Sequence, residues 1–250
     1  MGNASSDKAY EYIRRQILSG EYEPGKPLIT NLLSEEIGVS RTPVRDALRQ
    51  LEADGLVVIR PRLGASVKIM ALAEFEEMND MRLALECHAV GLAAERRTPG
   101  DLEAMKVPLE AITRSIEEYI AHYRGEVVPT NIIREDIQFH LAIVNAAKNG
   151  LLKRELLRLQ LIHRVVAAPA ATRSESRYAG HPEAVTKQRE VAVEHREIFD
   201  AISERDVLAA KSAMERHLRN IIHADLHAMA RSDWATSEQE LAKEVLDLTP

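Results

Sequence analysis

The stretch from Ile37 to Leu51, IGVSRTPVRDALRQL, constrains this chain more than any other. Gly38 follows an apolar helical run and stands where a short inter-helix turn needs it. Ser40 and Thr42 are two candidate N-caps, and Pro43 is tolerated in a first helical turn. The spacing predicts a helix with Val44, Ala47, Leu48 and Leu51 on its inward face. Arg41, Arg45 and Arg49 recur every four residues on another face. A rigid helix with arginines outside and a small, polar N-terminus suits a DNA major groove. Arginine there bridges guanine's two acceptors or clamps phosphates. The plainer alternative is a solvated arginine face on an ordinary amphipathic helix, and the flanking sequence separates the two.

Upstream, Tyr12, Ile13, Ile17 and Leu18 predict a short helix over about 8–19, ended by Gly20, with residues 1–7 loose. Tyr22-Glu23-Pro24-Gly25 is turn chemistry. A second helix, roughly Thr30 to Ile37, carries Leu32, Leu33 and Ile37. The arginine-faced helix stops near Asp54-Gly55, and there the period changes. Leu56 to Ile59 reads as a short strand and Arg60-Pro61-Arg62-Leu63-Gly64 as a loop. Ala65, Val67 and Ile69 then alternate with Ser66 and Lys68. Three short helices and a β-hairpin with a basic tip make a winged helix-turn-helix over residues 1–70. Its wing places Arg60 and Arg62 near a minor groove or phosphates.

Charge agrees with a locally basic head on an acidic body. Residues 1–70 carry a net +1 and the remaining 180 a net −7. That balance argues against a chain that coats nucleic acid indiscriminately. Cys87 is the sole cysteine, which excludes an intramolecular disulfide and a cysteine-based zinc cage. No apolar run is long enough to span a membrane, and the N-terminus lacks a signal peptide's hydrophobic region, so a cytoplasmic protein without a membrane partner is expected. Met1-Gly2-Asn3-Ala4-Ser5-Ser6 matches a myristoylation pattern only formally.

The rest reads as helix. Ala71–Arg97 is one long helix, ended by Thr98-Pro99-Gly100. Asp101 can cap the next, which runs to about Tyr123 before Gly125 and Pro129 break it. Asn131–Ala147, Leu151 to about Val166, 184–203 and 206–230 follow, with a loop over 169–182. The fold class expected is therefore mostly α: the winged head, then an antiparallel bundle of about six helices over 71–230, then a tail over 231–250.

Ionisable residues on buried stripes carry the information in a bundle. The third bundle helix has Ile133, Ile137, Leu141 and Val144 inward, with Asp136 and His140 on a bordering face. The fifth has Val191, His195, Ile198, Phe199 and Ile202. The sixth has Val207, Ala210, Met214, His217, Leu218 and Ile221. Asp136, His140, His195 and His217 can converge on a divalent metal, with zinc the first expectation and nickel, manganese or iron also suited. Alternatively each histidine is a satisfied core residue. Arg82, on the stripe of Phe75, Met78, Leu85, Ala89 and Leu92, must be paired. It either meets Glu86 one turn on or reaches the bundle cavity to hold a small carboxylate bidentately. His163 could back the site, His223 and His227 are expected to be exposed, and His88, His122 and His181 show no partner.

The run PGKPLITNLLSEEIGVSRTPVRDALRQLEADGLVVIRPRLGASV resembles the DNA-binding head of the GntR family of bacterial transcriptional regulators. The resemblance implies operator contacts by Arg41, Arg45 and Arg49, by Thr42 and by the wing glycine, Gly64. The helical part resembles the FCD ligand-binding domain of the FadR subgroup through Arg82-Leu-Ala-Leu-Glu86, Asp136-Ile-Gln-Phe-His140 with Asn149, Glu194-His195-Arg-Glu-Ile198, and Asp206 through Met214 to His217. That resemblance implies a metal on Asp136, His140, His195 and His217, its coordination completed by an effector, often a small organic acid.

The expected function is a ligand-responsive transcriptional regulator, a repressor, whose homodimer sets two heads on a palindromic double-stranded operator. Two rivals differ in class. A metalloenzyme would use the Asp/His site to activate water, but no nucleophile is in view and Glu194, next to His195, points to a different side of its helix. A constitutive DNA binder with a purely structural metal would lack any effector response.

Overall fold

The structure, a computed structural model, describes residues 2–122, 130–160, 183–224 and 226. Nine helices and one three-stranded sheet lie among these residues. The described residues divide into two compact units, the first holding 2–75 and 158–160 and the second the rest. The expected loop over 169–182, the end of the helix before it, His163, His181, His227 and the tail over 231–250 lie outside the described residues. No described helix is long and apolar enough to cross a membrane.

In the first unit α1 (Gly2–Leu18) buries Ala9, Ile13 and Ile17. It starts earlier than expected, because the helix held by those three residues runs back over a polar segment that needs no burial. Helix α2 (Thr30–Ile37) buries Leu33 and Ile37 and leaves Leu32 exposed. Gly38 ends it in the left-handed region, φ 72° and ψ 42°, where both Gly38 N–H and Val39 N–H donate to Ser34 O. Past that turn, α3 (Arg41–Ala53) buries Val44, Ala47, Leu48 and Leu51, the stripe read from their spacing. Ser40 occupies the N-cap position but makes no side-chain capping bond, and Thr42 lies inside the helix.

Strands β1 (Pro27–Leu28), β2 (Val57–Arg60) and β3 (Gly64–Val67) form an antiparallel sheet in the order β1-β3-β2. Val57 pairs with Val67 and Arg60 with Gly64, which closes the wing hairpin. Pro27 opposite Ser66 and Leu28 opposite Ala65 add a third strand. The hairpin turns through Arg62 (φ 67°) and Gly64 (φ 87°). Nothing lies within 4 Å of a Cβ built on Gly64, so its conformation, not its surroundings, is what favours glycine there.

The second unit is a bundle of most of α4 (Leu72–Arg96), α5 (Pro99–His122), α6 (Thr130–Ala146), most of α7 (150–160), α8 (Glu183–Glu204) and α9 (207–224). Thr98 and Asp101 cap α5 reciprocally. Asp101 N–H donates to Thr98 Oγ1 at 3.2 Å, and Thr98 N–H donates to Asp101 Oδ2 at 2.8 Å. Arginines tie helix ends together. Arg97 donates to the carbonyls of Ile202 and Ser203 at the end of α8, and Arg205, just past α8, donates to those of Glu95 and Arg97 at the end of α4. Each places a cation on a helix C-terminus. The core joins Val90, Met105, Leu109, Ile112, Ile116, Phe139, Ile143, Ile198, Ile202, Met214 and Leu218. Burying each large side chain is worth about 1.5–3 kcal/mol, so the helices that carry the polar cluster are held firmly.

Candidate metal centre and nucleic-acid interface

Helix α6 turns a different stripe inward from the one its sequence suggests. Ile132, Phe139, His140 and Ile143 are buried, whereas of the expected stripe Val144 is buried, Ile137 and Leu141 are half-buried and Ile133 is 52% exposed. The whole helix is rotated about its axis so that Phe139, its largest apolar residue, reaches the core. That rotation buries His140 and leaves Asp136 half-buried beside it. From α8 and α9 come His195 and His217, both 0% exposed.

The four side chains converge. One ligand atom from each of Asp136, His140, His195 and His217 lies within 4.8 Å of all the others. It is the one such cluster of three or more metal-ligating groups among the described residues. His140 Nε2 is 3.2 Å from His217 Nε2, and Asp136 Oδ1 is 4.0 Å from His140 Nε2. His195 Nε2 comes to 3.1 Å from Asp136 Oδ1. That pair is close enough for an ion pair but misaligned, and neither ring nitrogen of His195 makes a hydrogen bond. Phe139 stands edge-on to His195, its ring centroid 5.1 Å away, and walls the site on its apolar side.

Outside the cluster stand two further carboxylates. Glu86 on α4 sets Oε2 3.3 Å from His140 Nδ1, and Glu194 on α8 sets Oε2 2.9 Å from His217 Nδ1. A carboxylate only accepts, so Glu194 accepts the Nδ1–H of His217 and the Glu86 contact favours a proton on His140 Nδ1, which in the neutral rings leaves the lone pairs on Nε2. Two lone pairs then face each other across 3.2 Å. A shared cation, or a proton on one ring, removes that repulsion, and His195 Nε2, which makes no hydrogen bond, faces the same point. The donor set of one carboxylate and three imidazoles fits a divalent ion of the zinc, nickel, manganese or iron type.

The electrostatics follow the packing. Burial disfavours the His217 cation, and repulsion from His195 adds to this, so its pKa drops to about 4. Burial pulls His140 the same way, but the Glu86 contact and the Asp136 charge outweigh it and raise its pKa above the usual value. Asp136 is held well below the usual carboxylate range: burial opposes ionisation, but the three histidines overcome it. Glu86 is likewise lowered, to about 2, because Arg82 and His140 outweigh its burial.

Arg82 is 7% exposed and paired as its position on the stripe required. Its Nε donates to Glu86 Oε1 at 3.2 Å and its Nη1 to Asn79 Oδ1 at 3.3 Å. Sequence spacing misses the part played by Glu194 and Asn220. Glu194 is 6% exposed, and its other oxygen accepts from Asn220 Nδ2 at 2.5 Å. It does leave its helix on a different side from His195, but its long side chain reaches α9. His88, His122 and His223 are exposed.

In the first unit Arg41, Thr42, Arg45 and Arg49 are all exposed on α3, opposite the buried stripe. Arg49 has a loose ion pair with Asp46 at 3.8 Å. Arg60, Arg62 and Gly64 are exposed on the wing.

The chain matches the family model described as bacterial regulatory proteins, gntR family, over residues 5–67, and the FCD domain over residues 77–220. It is 30% identical over 214 residues to the uncharacterized HTH-type transcriptional regulator YdhC of Bacillus subtilis, covering 84% of this chain and 86% of that one. It is 27% identical over 234 residues to the HTH-type transcriptional repressor RspR of Escherichia coli, covering 93% and 94%. The solved structure of E. coli McbR/YncC has the same fold, with a TM-score of 0.71 and 23% identity over 90% of this chain and 98% of that one. A winged head with an arginine-faced helix, joined to a helical domain of this kind, is the make-up of a DNA-binding transcriptional regulator and not of an enzyme. This chain belongs to the GntR family of bacterial transcriptional regulators, with an FCD domain following its DNA-binding head.

Proposed function

We propose that this regulator is a metal-dependent, carboxylate-responsive repressor acting in the cytoplasm as a homodimer on a palindromic operator. The observation that carries the proposal is the facing pair of His140 and His217 Nε2 atoms, 3.2 Å apart, with His195 Nε2 set 3.1 Å from Asp136 Oδ1 without a hydrogen bond. Asp136, His140, His195 and His217 would hold one divalent cation, zinc first. The bound ion supplies a Lewis-acidic centre whose remaining positions accept a carboxylate oxygen. Arg82, paired with Glu86, supplies the fixed guanidinium that a small organic acid needs for orientation. In the head, Arg41, Thr42, Arg45 and Arg49 read or clamp the major groove, and Gly64 lets the wing approach the backbone. Residues 1–70 form the head, 71–230 the effector domain and 231–250 a tail. The repressor sense follows the name of RspR.

The effector acts only if it binds two arrangements of the dimer with different affinity. A melting-temperature screen of small carboxylates, with and without chelator, tests this. The proposal expects an acid that raises the melting temperature only when metal is present and that changes operator affinity. Stabilisation by metal with no acid response leaves a constitutive DNA binder with a structural metal instead.

A further inference from the structure

The four ligating groups do not account for every buried polar side chain around them. Glu86 and Glu194 are 2% and 6% exposed, each behind a histidine and neither within the converging set. Carboxylates are buried at a cost unless something answers them, and here each is answered twice. Glu86 is shared between Arg82 and His140. Glu194 is shared between Asn220 and His217. The two carboxylates come from different helices, so the arrangement does not follow from one helix's register. His195 has no counterpart, since both its ring nitrogens are buried without a hydrogen-bond partner.

We propose that Glu86 and Glu194 are positioning residues of the metal centre, fixing His140 and His217 as Nε2 donors and leaving His195 as the adjustable ligand. This inference rests on the metal reading above. An imidazole whose Nδ1–H is held by a carboxylate cannot turn its ring or change its tautomer without breaking that bond. It is also a more basic donor through Nε2. Arg82 and Asn220 act one step further out, by fixing the carboxylates. A merely structural carboxylate would matter equally with and without metal, whereas a positioning carboxylate matters only when the ligand is in use.

The test is a Co²⁺ titration of the chelator-treated full chain, followed by the visible absorption of the bound ion. Wild type is compared with Glu194→Gln and Glu86→Gln, near-isosteric changes that act on separate histidines. For each variant the expectation is one Co²⁺ per chain, an affinity loss of about 10–100-fold and a shifted absorption band. Melting temperature in chelator is expected to match wild type for Glu194→Gln. Wild-type affinity and an unchanged band in both variants would overturn the proposal and leave the metal reading standing. Lowered stability in chelator with unchanged Co²⁺ affinity would assign the carboxylates a structural role and overturn it too. No Co²⁺ binding by wild type would bring down the metal reading itself.

Discussion

His140 Nε2 and His217 Nε2 face each other at 3.2 Å although 77 residues separate them in the chain. Each ring has its outer nitrogen beside a glutamate, so when both rings are neutral the two Nε2 atoms present lone pairs to each other. Folding has brought together two acceptors that need a cation or a proton between them, and α6 and α9 are held by an apolar core that keeps them there. That relationship and the arginine face of α3 have measurable consequences.

His195→Ala removes a ligand that is fully buried and has no other hydrogen-bond partner. Metal content by elemental analysis should fall from one equivalent to near zero, while operator affinity in the absence of any acid is retained. Full metal content in the variant would take His195 out of the site.

Arg45→Ala deletes an exposed arginine from the middle of α3 without touching the buried Val44, Ala47, Leu48 and Leu51. If Arg45 reads a base, the loss should be about 1–3 kcal/mol, with relaxed preference at one operator position. Gel shifts on an operator selected from random DNA measure this, and unchanged affinity would remove Arg45 from the interface. Metal content should not change.

The histidine pair also predicts an unusual pH dependence for the metal-free protein. His140 has a raised pKa, so its contribution is present below the unfolded value of about 6.5 and is lost as pH rises through the folded value. His217 is depressed to about 4, so its contribution is present above the unfolded value and is lost as pH falls from about 6.5 towards 4. A proton on His140 Nε2 can then donate to His217 Nε2 and stand in for the metal. Thermal melts in chelator should therefore show greatest stability near pH 6.5, set by these two groups. With zinc bound, melting temperature should instead rise from pH 6 to 8, because protons compete for the ligands. The same rising profile in chelator would contradict the pairing.

Leu51→Ala tests the head's packing. Leu51 is 0% exposed at the centre of the first unit's core, so the substitution should cost about 2–5 kcal/mol. DNA binding should weaken at 37 °C while zinc affinity is unaltered. A matching loss of zinc affinity would mean that the two units do not fold separately.

The head is almost wholly legible in the sequence because its signals are local. Gly38 and the α3 stripe are dictated by neighbours within one or two turns, and the period change at Leu56 marks the hairpin. Strand β1 escapes notice because two residues, Pro27 and Leu28, have no periodicity and pair only with a partner far along the chain. The four converging residues are legible as polar positions at helical spacing near apolar ones. The rotation of α6 is not, since Ile133 and Phe139 compete for the core and only the facing helices decide between them. Glu194 is hidden for a related reason. Helical spacing tells where a side chain leaves its helix, but a glutamate's length lets it reach a histidine on the next one.

The most direct measurement is calorimetric titration of zinc into the chelator-treated protein, with elemental analysis of the loaded product. The cluster of Asp136, His140, His195 and His217 predicts one divalent ion per chain and a melting temperature that rises with loading, by linkage about 2.7 kcal/mol at a hundredfold excess over Kd. A protein that takes up no stoichiometric metal and melts alike with and without chelator would contradict the account. Its histidines would then be core residues, and the DNA-binding head would need another trigger.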